Sequence, residues 1–228
     1  MILLAADTSG KHGSIGLARC GQDGKCDVVE VVPLAGGTFS AQLVPQVAAL
    51  LERHGVDKRE IGAFAVASGP GSFTGLRVGL AAIKALAEVM GRPIAAVSLL
   101  EAVAVAGAAR GTVIAALDAG RGEIYAGEYE IGDTARKVNE RLLTKEEFLA
   151  AAKGRTVVTP DQNVAELARG WGLNTVYTER PRSDAIAASG WQKIQAGETI
   201  TAEALEANYI RRSDAEIFAR NNSTYRGK

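Results

Sequence analysis

The stretch Gly69-Pro70-Gly71-Ser72-Phe73-Thr74-Gly75-Leu76-Arg77-Val78-Gly79 follows a short apolar run, Ile61 to Ser68, and leads into a long apolar segment that stops at Gly91 and Pro93. The pattern predicts a buried strand, a glycine-rich turn and a helix from about Thr74 to Met90. Glycines in such a turn allow positive φ and close approach to the backbone, and the free amides of a helix amino end attract anions. As a nucleotide loop the motif fails twice. No lysine follows the last glycine, as a P-loop requires, and Gly69, Gly71 and Gly75 give G-x-G-x-x-x-G where a dinucleotide site needs G-x-G-x-x-G. Read from its residues alone, the loop is a tight turn that packs a helix on a sheet.

The helix constrains the fold further. From Gly75 to Met90 the charged residues are Arg77, Lys84 and Glu88, and a helix apolar nearly all round is buried on more than one face. Gly79, Ala81, Ala82 and Ala85 are small enough for another helix to come close. Either the rest of the fold covers the second face or another protein does; the residues leave both open.

Upstream, Ile2 to Ala6, Ser14 to Cys20 and Asp27 to Pro33 read as strands, and a helix capped by Thr38 or Ser40 carries Leu43, Val44, Val47, Leu50 and Leu51 on one face. Downstream, Pro93 to Val97 is a strand and Ser98-Leu99-Leu100-Glu101 a capping box opening a helix to about Ala109. From Gly111 the order recurs. Val113 to Leu117 and Glu123 to Glu130 are strands around the turn 118–122, and a second capping box, Thr144 to Glu147, opens a helix. Short strands at 156–159 and 175–178 flank a helix from Asp161, and further helices run from Ser183 to Gln195 and from Thr201 to about Tyr209. This predicts a two-lobed α/β protein with mixed sheets flanked by helices, one lobe spanning 1–110 and the other 111–228 with a polar tail after Arg211.

The 26 basic residues balance 26 acidic ones, which argues against a protein that grips nucleic acid by general electrostatics. No apolar run reaches the roughly 18 residues of a membrane span, so no membrane is expected. The first residues lack the basic flank of a secretion signal, and a cytoplasmic protein is expected. Cys20 and Cys26 flank a turn and could meet across a hairpin, but a cytoplasmic chain favours free thiols. Catalytic constellations are scarce. His12 and His54 fall in different elements, so a His-x-x-x-His metal pair is excluded, and there is no G-x-S-x-G elbow. Asp7 and Asp118 each end the first strand of a half, where they cap a turn or handle a phosphate. No catalytic residue, metal or cofactor is expected.

Asp7-Thr8-Ser9, the Gly69 to Gly79 motif and Asp118-Ala119-Gly120-Arg121-Gly122-Glu123-Ile124-Tyr125 together resemble the TsaB (YeaZ) family, over the first 130 residues and more faintly to Tyr209-Ile210-Arg211. The resemblance implies an actin-like, sugar-kinase-like fold. It also implies a non-catalytic partner in making threonylcarbamoyladenosine at position 37 of tRNAs reading codons that begin with A. Such proteins pair with TsaD, a catalytic relative. TsaE, an ATPase, then joins them; alone they form homodimers through the same surface, and tRNA is met mainly through TsaD. By that similarity the metal-binding histidines of TsaD fall at Leu99 and Val103, where no metal is held, and Thr159 to Asn163 stands in place of its adenosine-binding glycines. The family's His-Ser-Glu-like stretch is replaced by Thr38-Phe39-Ser40-Ala41-Gln42. The resemblance makes the apolar helix a docking surface. Gly75, Val78, Gly79, Ala82, Ile83, Ala85 and Leu86 would face the partner, beside Leu43, Val47 and Leu50 of the preceding helix. Asp7, Thr8, Ser9, Gly69, Pro70, Gly71, Ser72, Phe73, Thr74, Arg77 and Asp118 then form the loop and vestigial phosphate-type turns. The competing reading is an actin-like ATPase or small-molecule kinase built on Asp7 and Asp118; a metallopeptidase lacks its histidines.

Overall fold

The computed structural model describes residues 1–21 and 23–211. The polar tail expected after Arg211 lies outside the described residues.

Three strands open the chain: β1 (Ile2–Asp7), β2 (Gly13–Cys20) and β3 (Cys26–Leu34). Then come α1 (Phe39–Arg53), β4 (Ile61–Gly69), α2 (Phe73–Met90), β5 (Ile94–Ser98) and α3 (Leu99–Ala106). The plan then repeats with β6 (Gly111–Gly120), β7 (Glu123–Ile131), β8 (Ala135–Thr144), α4 (Lys145–Ala151), β9 (Thr156–Thr159), α5 (Gln162–Gly170), β10 (Thr175–Tyr177) and α6 (Ser183–Gln195). Two five-stranded sheets result, ordered β3-β2-β1-β4-β5 and β10-β9-β6-β7-β8. In each, the central strand runs antiparallel to the next hairpin strand and parallel to a later one: β1 with β2 and β4, β6 with β7 and β9. The second lobe thus repeats the first lobe's topology, the two-lobed actin-like, sugar-kinase-like plan.

Both faces of each sheet are covered, which is why β1 and β4 read as continuous apolar runs rather than alternating ones. Helices α1 and α2 pack on one face of the first sheet around Leu4, Phe64 and Val66. Ile186, Ala187 and Trp191 of α6 close the other face against Leu3, Ala5 and Ala65. Gly190 lets α6 approach β4, because a Cβ there would stand 2.5 Å from that of Ala65. Leu99, Leu100 and Val103 of α3 lie instead on the second sheet against Val113, Ala115 and Val158. The division at residue 110 therefore separates the sheets, yet one helix from each side crosses it and seats on the other lobe.

Several local expectations are corrected, and Thr38, at the start of α1, makes no side-chain cap. Ser98 precedes α3 but makes no side-chain cap, because its hydroxyl is drawn to Glu140 at 2.5 Å while Glu101 pairs with Lys193 at 3.1 Å. Thr201 starts no helix: Ile200 exchanges backbone hydrogen bonds with Ile94 at 3.1 and 2.8 Å, holding the chain extended along the edge of β5. The expected free thiols are joined, since Cys20 and Cys26 face each other across β2 and β3 and form a disulfide; they no longer argue for a reducing compartment. Strand β8 escaped the sequence reading because Arg136, Lys137, Glu140 and Arg141 give it the charge of an edge strand rather than an apolar pattern. The capping box at Thr144 and Glu147 forms as its residues predict. Among the described residues no helix is long and apolar enough to cross a membrane.

Candidate functional site

The glycine-rich loop lies on the turn that follows β1. The Ser72 backbone N–H donates to the Ser9 carbonyl at 2.7 Å, and Thr8 Oγ1 donates to the Gly75 carbonyl at 2.7 Å. Thr8 and Ser9 are both buried. A Cβ on Gly71 would overlap the Ser9 carbonyl oxygen, one on Gly75 the Thr8 carbonyl oxygen, and one on Gly79 Thr8 Oγ1. These glycines are required by the chain's own packing. Gly69 is different: its φ of 115° is one that side chains resist. Ser72 caps α2, its Oγ accepting from the Gly75 N–H at 3.2 Å.

The two aspartates make the same local bond in equivalent places. Asp7 Oδ1 accepts from the Ser9 N–H at 2.8 Å, and Asp118 Oδ1 accepts from the Gly120 N–H at 2.7 Å. Asp7 is buried, and that burial raises its carboxyl above the ordinary 3.8, against the pull of the Ser9 N–H and the Arg180 charge. Asp118 is exposed; its N–H donates to Asp161 at 2.7 Å, and Asp161 in turn stands 3.8 Å from Arg180. The Thr159 to Asn163 segment is thereby tied to the second turn. Of the turn amides, those of Ser9, Ser72, Gly75 and Gly120 are used within the chain. The cavity beside Asp7, lined by His12, Arg180, Val31 and Pro33, holds about 250 Å³, at or below the small end of ligand pockets. Leu99 and Val103 are fully buried core residues, and among the described residues no group of three His, Cys, Asp or Glu side chains is placed to hold a metal.

The expected docking face needs redrawing. Leu43, Val47 and Leu50 of α1 and Gly75, Gly79 and Ile83 of α2 are buried in the chain's own core. Their apolar character comes from packing on the first sheet, which leaves them out of reach of a partner. Val78, Ala82 and Leu86 are half-buried and Ala85 is exposed. One flank of α2 is also covered from within. Ala202 and Leu205 pack beside it, Lys84 Nζ donates to the Glu203 carbonyl at 3.1 Å, and Tyr209 stacks on Phe73 with ring centroids 5.2 Å apart.

On the outer sides of the two helices, Ala41, Val44, Pro45 and Ala48 of α1 and Ala81 and Ala85 of α2 reach solvent, an uncharged stretch that ends at the exposed Glu52 on α1 and at the exposed Arg77 and Glu88 on α2. The spacing of three and four residues puts each set on one side of its helix. Val44 is 51 % exposed and Val89, at the far end of α2, 86 %. The sequence analysis grouped Val44 with Leu43, Val47, Leu50 and Leu51 on one face of α1, whereas Val44 stands outside that buried face.

A family model described as TsaD, tRNA N6-adenosine threonylcarbamoyltransferase, matches residues 31–169. The tRNA threonylcarbamoyladenosine biosynthesis protein TsaB of Bacillus subtilis (strain 168) is 28 % identical over 95 % of this chain and 96 % of its own length. Two solved structures share the fold at 26 % identity. A Pseudomonas aeruginosa protein described by its similarity to peptidase YEAZ superposes with a TM-score of 0.76 over 92 % of this chain and 99 % of its own. YeaZ from Pseudomonas aeruginosa does so with 0.73 over 91 % and 100 %.

Proposed function

Because the chain belongs to the TsaD family, in its TsaB (YeaZ) branch, we propose that it serves tRNA threonylcarbamoyladenosine biosynthesis as a subunit without a catalytic centre of its own, docking a TsaD-type chain through the outer face of α1 and α2. The observation that carries this reading is the stripe itself. Two neighbouring helices present Val44, Pro45, Ala48, Ala81 and Ala85 to solvent, an uncharged patch bounded by Glu52 on α1 and by Arg77 and Glu88 on α2. Side chains this small let two further helices approach closely and pack as a bundle. The core of a stable interface is depleted in charge in the same way.

The turns support the non-catalytic part of the reading. Ser9, Ser72, Gly75 and Gly120 already spend their amides on partners inside the chain, and core leucine and valine stand at positions 99 and 103. In the same reading a TsaE-type ATPase joins the pair, tRNA is met mainly through the TsaD-type chain, and two copies of this chain use the stripe when no partner is present. Reconstitution tests it: the TsaD-type and TsaE-type proteins of the same organism modify tRNA with this chain and fail without it. Modification at full rate in its absence overturns the proposal, as does turnover by this chain alone.

A further inference from the structure

The segment after α6 returns across both lobes. Ile200 bridges to the edge of β5, and Ala202 and Leu205 fill the core beside α2. Residues 208–211 then run from one lobe to the other. The Asn208 N–H donates to the Ser68 carbonyl at 2.7 Å, and its side-chain amide donates to Glu140 Oε2 at 2.6 Å. The other oxygen of that carboxylate accepts from Ser98 Oγ at 2.5 Å and from the Tyr129 hydroxyl. Tyr129 is fully buried, and burial beside Glu140 raises its hydroxyl well above the ordinary range, so it keeps its proton and donates. One carboxylate on β8 thus joins β7, the end of β5 and the returning segment.

On the first lobe, the segment lies directly over the glycine loop. A Cβ on Gly69 would stand 3.1 Å from the Asn208 carbonyl oxygen. The Tyr209 hydroxyl accepts from Arg77 Nε at 3.2 Å, while the Arg77 guanidinium lies 3.7 Å above the Phe73 ring. On the second lobe, Arg211 donates to the Ala119 carbonyl at 2.9 Å and pairs with Glu123. The amino end of α2 is therefore held from one side by Thr8 and Ser9 and from the other by a segment anchored in the opposite lobe.

We propose that residues 208–211 act as a strap, latched on Glu140, that holds the Gly69–Ser72 loop and the amino end of α2, so that the docking face is complete only when the two lobes are joined. The docking half of this inference rests on the function proposed above; the strap itself does not.

Reversing the polarity of the latch tests it. Asn208→Asp sets a second carboxylate against Glu140 Oε2, and amide hydrogen exchange is read on the whole chain at Gly75, Leu76 and Asn208. Exchange there is expected to quicken about tenfold or more, with the central amides of β6 and β7 unchanged. Affinity for the TsaD-type partner is expected to fall about fivefold or more, a coupling of the size usual between linked sites. In the double variant, Glu140→Gln with Asn208→Asp, the glutamine oxygen still accepts from Ser98 and Tyr129 while its amide donates to the new carboxylate, and slow exchange returns. Tyr209→Ala leaves the latch intact and serves if Asn208→Asp does not fold; it too quickens exchange at Gly75 and Leu76. Unchanged exchange in a folded variant, or no recovery in the double variant, overturns the strap. Faster exchange with undiminished affinity overturns its link to docking. If the unaltered chain binds no partner at all, exchange still decides the strap, and the failure belongs to the proposed function.

Discussion

Thr8 and Gly75 are 67 positions apart in the chain, yet the Thr8 hydroxyl donates to the Gly75 carbonyl at 2.7 Å and the Thr8 carbonyl oxygen fills the space a side chain at 75 would take. The turn after β1 and the first turn of α2 are one packed unit. That unit fixes where α2 begins, and with it the direction of the outer stripe.

Gly75→Ala is expected to destabilise the fold by about 1 to 3 kcal/mol, the usual cost of forcing atoms into a filled site. Urea unfolding reads it as a lower midpoint at unchanged slope. Thr8→Val, which keeps the shape and removes the donor, is expected to lose about 1 kcal/mol, and more where the Gly75 carbonyl is left unpaired. Midpoints equal to that of the unaltered chain would show that the two turns do not depend on each other.

Charge on the stripe should separate docking from folding. Ala85→Arg and Val44→Glu both fall on exposed positions, so the melting temperature is expected to stay close to that of the parent, as for most surface substitutions. Association with the TsaD-type chain is expected to weaken about tenfold or more, because the new charge would be buried without a partner. Leu43→Ala is the converse: it opens a cavity in the core and is expected to lose about 2 to 5 kcal/mol of stability. Co-purification together with thermal melts distinguishes the two, and full affinity in Ala85→Arg rejects the assigned face.

Asp7 gives a pH signature. Its carboxyl is raised in the folded chain by burial, so the folded state holds its proton more tightly than the unfolded one. Stability from this group is present below the unfolded value and is lost as pH rises through the window from 3.8 upward to the raised value. Asn at this position can still accept from the Ser9 N–H and carries no charge to bury. The stability of Asp7→Asn relative to the parent is therefore expected to rise with pH across that window and level off above it. Thermal melts across that range check this; a constant difference would show that the carboxyl is ionised without penalty.

The competing ATPase or kinase reading is tested by calorimetry with ATP and magnesium on the chain alone. The amides of Ser9, Ser72, Gly75 and Gly120 are engaged within the chain, and a phosphate that used them would have to displace those bonds. No binding heat is expected. A saturating isotherm with a dissociation constant in the micromolar range would restore the competing reading.

Much of the fold was legible because its signals are local. Apolar runs at Ile2, Ile61 and Val113, the Gly91 stop and the Thr144–Glu147 capping box depend on residues a few positions apart. The repeated order of elements followed from them, as did the glycine loop's role as a packing turn. The charged edge strand β8 was lost because its residues answer to a neighbouring strand and to solvent rather than to a buried face. The capping box expected at Ser98 failed because a carboxylate 42 positions away holds the serine hydroxyl.

Sequence alone determined that α2 must be covered on more than one side, since a helix with so few charges cannot face water all round. Only the tertiary structure decided what covers it. The first sheet and α1 take the densest apolar side, which places Leu43, Val47, Leu50 and Ile83 inside. The segment carrying Ala202, Leu205 and Tyr209, the last of them 132 positions beyond Arg77, takes one flank, and the sparse stripe of alanines with Val44 is left outside. Periodicity records how much of a helix avoids water, whereas the partner on each side is set by segments that meet only after the chain has closed.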